Sequence, residues 1–325
     1  MLKGKVKMKK VLYGLLIAVL AVLVVGCGSK NEEPEKTENA PEEAEADTVV
    51  VEHELGTTEV AKNPEKVVVF DFGSLDTLDK LGVEVVGVPQ AGVVPNYLEK
   101  YASEDYENVG SLKEPDFEKI AEIDPDLIII SSRQADLYEQ FQELGDTIYL
   151  GVDYTRYIDS FKENATVIGE VFGKEKEVEE ELAAINESIA SLSEKAETAN
   201  QNALIILAND DKISAYGPNS RFGIIHDVFG IPAVDENIEV STHGMNVSFE
   251  YVVEQDPDLL YVVDRSAAIG EGSSAEQLVE NKLMERTKAY QNDNIIYLDP
   301  EFWYLSGGGL ESVAGMVEEI VGSIE

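Results

Sequence analysis

The 325-residue chain has one cysteine, one tryptophan, three histidines, and only 25 lysines and arginines against 64 aspartates and glutamates. Each scarcity removes a class of function. The lone cysteine, Cys27, lies near the N-terminus, so once it is modified no thiol remains for a disulfide or a thiolate metal site. A formal charge of −39 excludes nucleic acid as a partner. Neither a Gly-x-Ser-x-Gly elbow nor a His-Glu-x-x-His zinc site occurs, so a hydrolase is disfavoured and no enzymatic activity is expected. The apolar run Val11 to Val25 is fifteen residues long, short of the roughly 18 to 20 that a spanning helix needs.

What is present at the N-terminus reads as an address. Residues 1–10 carry five lysines and no acid, the apolar run follows, and Gly26 stands directly before Cys27. This order predicts a signal peptide over 1–26 and lipidation at Cys27. Residues 28–47 are almost all Glu, Lys, Asn, Pro, Ala and Ser, too polar to bury a core, so 27–47 is read as a lipidated cysteine followed by an acidic, disordered tether. Two acyl chains hold stably to a membrane. The expected location is therefore the cell surface, at the outer face of the cytoplasmic membrane.

The folded part contains a repeat. Asp116 to Arg133 and Ser248 to Arg265 agree at eight of eighteen positions, at an offset of 132 residues. Each reads as a short helix with an acid in its first turn, an Asp-Pro-Asp break, a continuously apolar strand, and an arginine just past the strand's end. This predicts an α/β protein of two similar lobes with mostly parallel sheets, one over 48–173 and one over 201–325. Between them, Val178, Leu182, Ile185, Ile189 and Leu192 recur at helical spacing, so 174–200 is expected to form one long connecting helix. Further helices are expected over Arg221 to Phe229 and from about Leu310 to Ile324.

The ends of α/β strands present ligand-binding groups. Arg133 and Arg265 fall there in both lobes, and duplication of the position favours a shared cleft over a pair of surface ion pairs. Arg221 is placed at a helix start, where a cation opposes the helix dipole, which points to a use for it. Three converging arginines would bind a polyanion. Of the histidines, His53 reads as a surface strand residue and His226 as a satisfied buried one. His243 lies in a polar loop and is a candidate metal ligand or acid/base group. Trp303 and Tyr304 precede Gly307-Gly308-Gly309 at a helix start, where the glycines permit either tight packing or an anion contact. Each aromatic is open to a core role or to stacking on a flat ligand. Glu118 and Glu250 stabilise first turns, and as a matched pair would also suit symmetric docking.

Asn219-Ser-Arg-Phe-Gly, Thr242-His-Gly, Val263-Asp-Arg and Tyr297-Leu-Asp-Pro-Glu-Phe-Trp-Tyr, with the glycines and Leu310-Glu-Ser after them, carry a resemblance. From about Val49 to Glu325 the chain resembles the cluster A (type III) solute-binding lipoproteins of iron-uptake ABC transporters, and within them the binders of ferric catecholate siderophores of the petrobactin and enterobactin type. The resemblance implies that Arg133, Arg221 and Arg265 face the anionic chelate, and the loop position of Trp303 makes it a further candidate ligand-binding residue. The resemblance also implies that His243 and Tyr304 complete iron's coordination when the chelator leaves positions open, and that Glu118 and Glu250 dock on an ABC permease. Ferric iron prefers hard oxygen donors and tolerates imidazole, which agrees with that set. A monomer with no cofactor is expected, its ligand a ferric siderophore. Haem, cobalamin or another iron chelate is the alternative within the fold, and a purely structural surface lipoprotein the alternative outside it.

Overall fold

The computed structural model describes residues 47–324 apart from 271 and 273; the signal peptide, Cys27 and the tether as far as residue 46 lie outside the described residues. Strands β1 (Thr48–His53) and β2 (Gly56–Ala61) pair as an antiparallel hairpin that joins neither main sheet. The first main sheet comprises β3 (Val67–Val69), β4 (Gly87–Val88), β5 (Glu107–Asn108), β6 (Leu127–Ile130) and β7 (Thr147–Tyr149), in the order β5-β4-β3-β6-β7 with every pairing parallel. All residues of its central strands β3 and β6 are buried, which is why they read as unbroken apolar runs and not as alternations.

The second sheet contains β8 (Ala203–Asn209), β9 (Lys212–Tyr216), β10 (Met245–Val247), β11 (Leu259–Asp264) and β12 (Ile295–Leu298), in the order β10-β9-β8-β11-β12. Here β8, β11 and β12 run parallel, whereas β9 is antiparallel to both β8 and β10.

The repeat builds the same corner in each half. Helices Phe117–Ile123 and Phe249–Gln255 end on the left-handed residues Asp124 (φ 54°) and Asp256 (φ 47°), and the following proline prevents continuation. The second aspartate then reaches the start of the neighbouring strand. Asp126 accepts from the amides of Glu65 and Lys66 at 3.0 and 2.8 Å, and Asp258 from that of Asn202 at 3.2 Å. Asp-Pro-Asp is thus a helix stop combined with a clamp on the sheet.

Helix Glu175–Ala199 spans 25 residues, about 37 Å at 1.5 Å per residue. Val178, Ile185, Ile189 and Leu192 are buried along it and Leu182 is half-buried. It packs beside the closing helix Leu310–Ser323, which also packs on Phe72–Lys80 of the first half, so one apolar core runs continuously from Leu75 and Leu78 through Leu192 to Val313 and Ile320.

Of the two uses foreseen for Gly307-Gly308-Gly309, tight packing is the one observed. A Cβ on Gly309 would overlap the Asp76 carboxylate and approach the Gly73 carbonyl to 2.5 Å. That approach lets Asp76, in the first half, accept from the amides of Glu311 and Ser312 at 2.8 and 2.7 Å. The acceptor at this helix start is the protein's own carboxyl. The helix expected over Arg221 to Phe229 shrinks to Ile224–Asp227, because the Asp227 carboxylate captures the amide of left-handed Asn219 at 2.6 Å and holds the preceding residues in a turn. Arg221 therefore opens no helix.

Candidate functional site

Arg133 enters just after β6, in a short helical turn fixed by Gln134, whose side chain accepts from the Ser131 amide at 3.1 Å and donates to the Leu112 carbonyl. Arg265 enters just after β11, where Asp264 caps the following turn through the Ala267 amide at 2.9 Å. Arg221 comes from the loop after β9, which has no counterpart in the all-parallel sheet. The three guanidinium groups meet at one residue, Tyr304.

Tyr304 lies in a π-helical turn, Glu301–Ser306, closed by the Gly307 amide donating to the Phe302 carbonyl at 2.8 Å. Such wide turns are rare and concentrate at functional sites. The Tyr304 carbonyl accepts from Arg133 Nη2 at 2.8 Å and from Arg221 Nη2 at 2.7 Å, using both lone pairs. Its hydroxyl accepts from Arg265 Nε at 3.1 Å, and its ring lies 4.3 Å from Arg221 Cζ, a cation–π contact. Asn209, at the end of β8, accepts from Arg265 Nη1 at 2.9 Å.

The electrostatics are those of an anion site. Among the described residues, none of the three arginines has a carboxylate within the 4.0 Å of an ion pair, in a chain with more than twice as many acids as bases. Burial and then the neighbouring Arg221 push the Arg133 guanidinium below its ordinary value, and the nearby Asp71 carboxylate offsets them only in part. Burial pushes the Tyr304 hydroxyl up, but Arg221, Arg265 and Arg133 together outweigh it and leave the group below a normal tyrosine. Two compartments flank Tyr304 and Leu305. One of about 300 Å³ lies between the lobes, with Arg133, Arg265 and Lys113 as its cations and Val93, Leu112 and Ile269 among its apolar walls. The other, about 30 Å³, holds Arg133 and Arg221 together with Asp71, Tyr154 and Tyr157.

The structure thus brings Arg133, Arg221, Arg265 and Tyr304 together. It does not bring in the other two residues expected with them. Trp303 is only 3 % exposed and donates its indole N–H to Glu319 Oε2 at 2.7 Å, so it belongs to the core and offers no stacking face, despite bordering the smaller compartment. His243 sits on an exposed turn outside the residues lining either compartment, and its neighbour Gly244 packs on the Tyr216 ring. Glu118 and Glu250 are exposed in the first turns of their repeat helices. Asn209, Asp71 and Lys113 escaped the sequence reading. Only Lys113 carried a signal, as a cation in a loop of an acidic chain.

Two α/β lobes joined by one long helix, with cations at the strand ends on either side of a cleft, define a two-lobed solute-binding protein. The profile of the family described as periplasmic binding proteins matches residues 67–302, and the chain belongs to that family. It is 50% identical over 98% of its length to the whole of the petrobactin-binding protein YclQ of Bacillus subtilis. It is 30% identical to the ferric-anguibactin-binding protein FatB of Vibrio anguillarum, over 84% of this chain and 86% of that one. The crystal structure of YclQ superposes with a TM-score of 0.84, covering 86% of this chain and 99% of that one at 54% identity. That of the catecholate-siderophore-binding protein VctP of Vibrio cholerae gives 0.82, covering 85% and 100% at 34% identity. The members of this family are binding proteins and not enzymes.

Proposed function

We propose that this chain is a receptor that captures a ferric catecholate-type siderophore outside the cell and hands it to an ABC permease for iron uptake. The observation that carries the reading is the convergence of three arginines, none of them ion-paired among the described residues, on Tyr304: Arg133 and Arg221 on its carbonyl, Arg221 also against its ring, and Arg265 on its hydroxyl. A ferric catecholate is an anion with aromatic faces and phenolic oxygens, so it can supply both the charge and the ring that these arginines bind. A neutral hydroxamate chelate would bring no charge to these half-buried cations. The names of YclQ and VctP point the same way.

Within this reading Arg133, Arg221 and Arg265 hold the chelate. The Tyr304 hydroxyl, shifted towards its anionic form by those arginines, is the group that would reach iron where a chelator leaves a position open. His243 would join it only if its turn moved inward. Glu118 and Glu250, one on each lobe, are the residues assigned to basic pockets of the permease. A lipid on Cys27 would hold the receptor, as a monomer, at the outer face of the membrane.

The test is titration of the purified chain with ferric tris-catecholate, ferric citrate and a neutral ferric hydroxamate, followed by emission of the single tryptophan, Trp303. Energy transfer to the iron chelate needs no contact with the indole, so its buried position is no obstacle. Saturable quenching by the catecholate at the lowest concentration is expected. Tight binding of the hydroxamate without binding of the catecholate would overturn the assignment.

A further inference from the structure

Tyr304 meets the arginines as a ligand would. Its ring lies under the Arg221 guanidinium at 4.3 Å and its phenolic oxygen accepts from Arg265 Nε at 3.1 Å. A catechol ring is a phenol with a second oxygen, so the proposed ligand would ask Arg221 and Arg265 for the same two contacts, ring face and aromatic oxygen. The two cannot have them at once. We propose that Tyr304 is a built-in competitor for the ligand, which must displace its side chain to dock. This rests on the catecholate reading above and deepens it.

The backbone of Tyr304 and its side chain are held separately. Arg133 and Arg221 grip the carbonyl at 2.8 and 2.7 Å, and the Gly307 amide closes the turn on the Phe302 carbonyl at 2.8 Å. None of these bonds involves the ring, so the ring can turn about its side-chain torsions while the arginines stay anchored. The roughly 300 Å³ compartment on the cleft side of Tyr304 gives it space to do so. A competitor on the protein lowers the affinity of every ligand that must displace it by the same factor. The consequence is a threshold. Weakly bound surrounding anions fail to occupy the arginines, whereas a chelate that offers several ring faces and oxygens overcomes the competition.

The test uses a hexadentate ferric tris-catecholate, which leaves iron no position for a protein ligand, and three chains: native, Tyr304→Ala and Tyr304→Phe. Thermal midpoints establish that the variants are folded. Losing a charge-assisted hydrogen bond and a cation–π contact from the competitor is expected to tighten binding by Tyr304→Ala about tenfold. Tyr304→Phe, which keeps the stacking and loses the hydroxyl, falls between the two. Because a half-exposed ring turns far faster than mixing, both association rates in stopped-flow are expected to rise linearly with chelate concentration, the native slope being the lower because only ring-released molecules are competent. Equal or weaker binding by Tyr304→Ala would overturn the proposal and leave the catecholate reading standing. Failure of the native chain and both variants to bind any ferric catecholate would overturn both.

Discussion

The two lobes share a repeat but not a sheet. The first is parallel throughout, and the second turns back on itself between β8 and β9 through a tight connection in which Asn209 pairs with Lys212 and Asp210 adopts φ 54°. The shared part delivers a matched pair, Arg133 and Arg265, at equivalent strand ends. The unshared part delivers the rest. Arg221 follows the reversed strand β9, Asn209 stands at the turn into it, and Tyr304 occupies the π turn after β12. Duplication supplies the frame of a cleft, and departure from duplication supplies its chemistry.

The largest expected effect tests whether the outer faces of the lobes act as equals. Replacing both Glu118 and Glu250 by alanine is expected to reduce cellular iron uptake to background while leaving chelate affinity unchanged. Each single variant should lose a comparable part of uptake, because the acids occupy the same position in exposed first turns. Undiminished uptake in the double variant would remove the docking role, and a loss confined to one variant would break the symmetry.

The lobes are joined at Asp76, and here the comparison can be made with pH. Burial, partly offset by hydrogen bonds from Ser312 and Glu311, raises this carboxyl from 3.8 to about 7. Tyr97, which also donates to it at 3.3 Å, and Glu311 are the other titratable groups facing it, and neither is a cation. An acid whose folded value is raised holds its proton more tightly in the native than in the unfolded chain. Its contribution to stability is therefore complete below about pH 4, declines as pH rises to about 7, and is constant above that. The decline amounts to roughly 4 kcal/mol, since each tenfold difference in proton affinity between the folded and unfolded chain is worth about 1.4 kcal/mol. Denaturant unfolding of native and Asp76→Asn chains across this window should show a steeper decline in the native chain, since Glu301, Glu319 and Asp146, also raised by burial, titrate in both. Parallel curves would show that Asp76 does not titrate between the lobes.

Much of this arrangement was legible. Eight identities in eighteen positions located both strand-end arginines, and the apolar stripe from Val178 to Leu192 gave the connecting helix, because periodicity and strand-end placement are local properties. What stayed hidden depends on contacts distant in sequence. Nothing in the order Trp303-Tyr304 says which ring turns inward; the carboxylate that decides it, Glu319, lies on the closing helix. The reversal of β9 was hidden because its turn, Asp210-Asp211, lacks the glycine that advertises a hairpin. The loop of His243 read as polar, which does not distinguish the rim of a cleft from its floor. The glycines before the closing helix were ambiguous until the approach of Asp76 from the other lobe resolved them.

Among the arginines the comparison predicts unequal losses. Arg265 touches the phenol, and Arg221 lies against the ring as well as the carbonyl; Arg133 meets only the backbone. Arg221→Ala and Arg265→Ala are therefore expected to weaken a ferric catecholate about a hundredfold, and Arg133→Ala about tenfold, as measured by calorimetry. Equal losses at Arg133 and Arg265 would mean that the repeat, and not its departures, governs recognition.

The smallest effect concerns what stands behind each strand-end arginine. Lobe one places a carboxylate near Arg133, since Asp71 raises the guanidinium's affinity for its proton, whereas lobe two places a neutral amide on Arg265, at 2.9 Å from Asn209. A neutral acceptor aims the guanidinium without cancelling its charge, and leaves it available to an anion. Asn209→Ala should cost about threefold in affinity through lost orientation, well under 1 kcal/mol. Asn209→Asp should cost more than Asn209→Ala, although it keeps the acceptor, because its carboxylate would pair with Arg265 and compete with the chelate. The order of the two variants is the decisive readout: if aspartate binds the chelate as well as asparagine does, geometry and not retained charge is what lobe two contributes at this position.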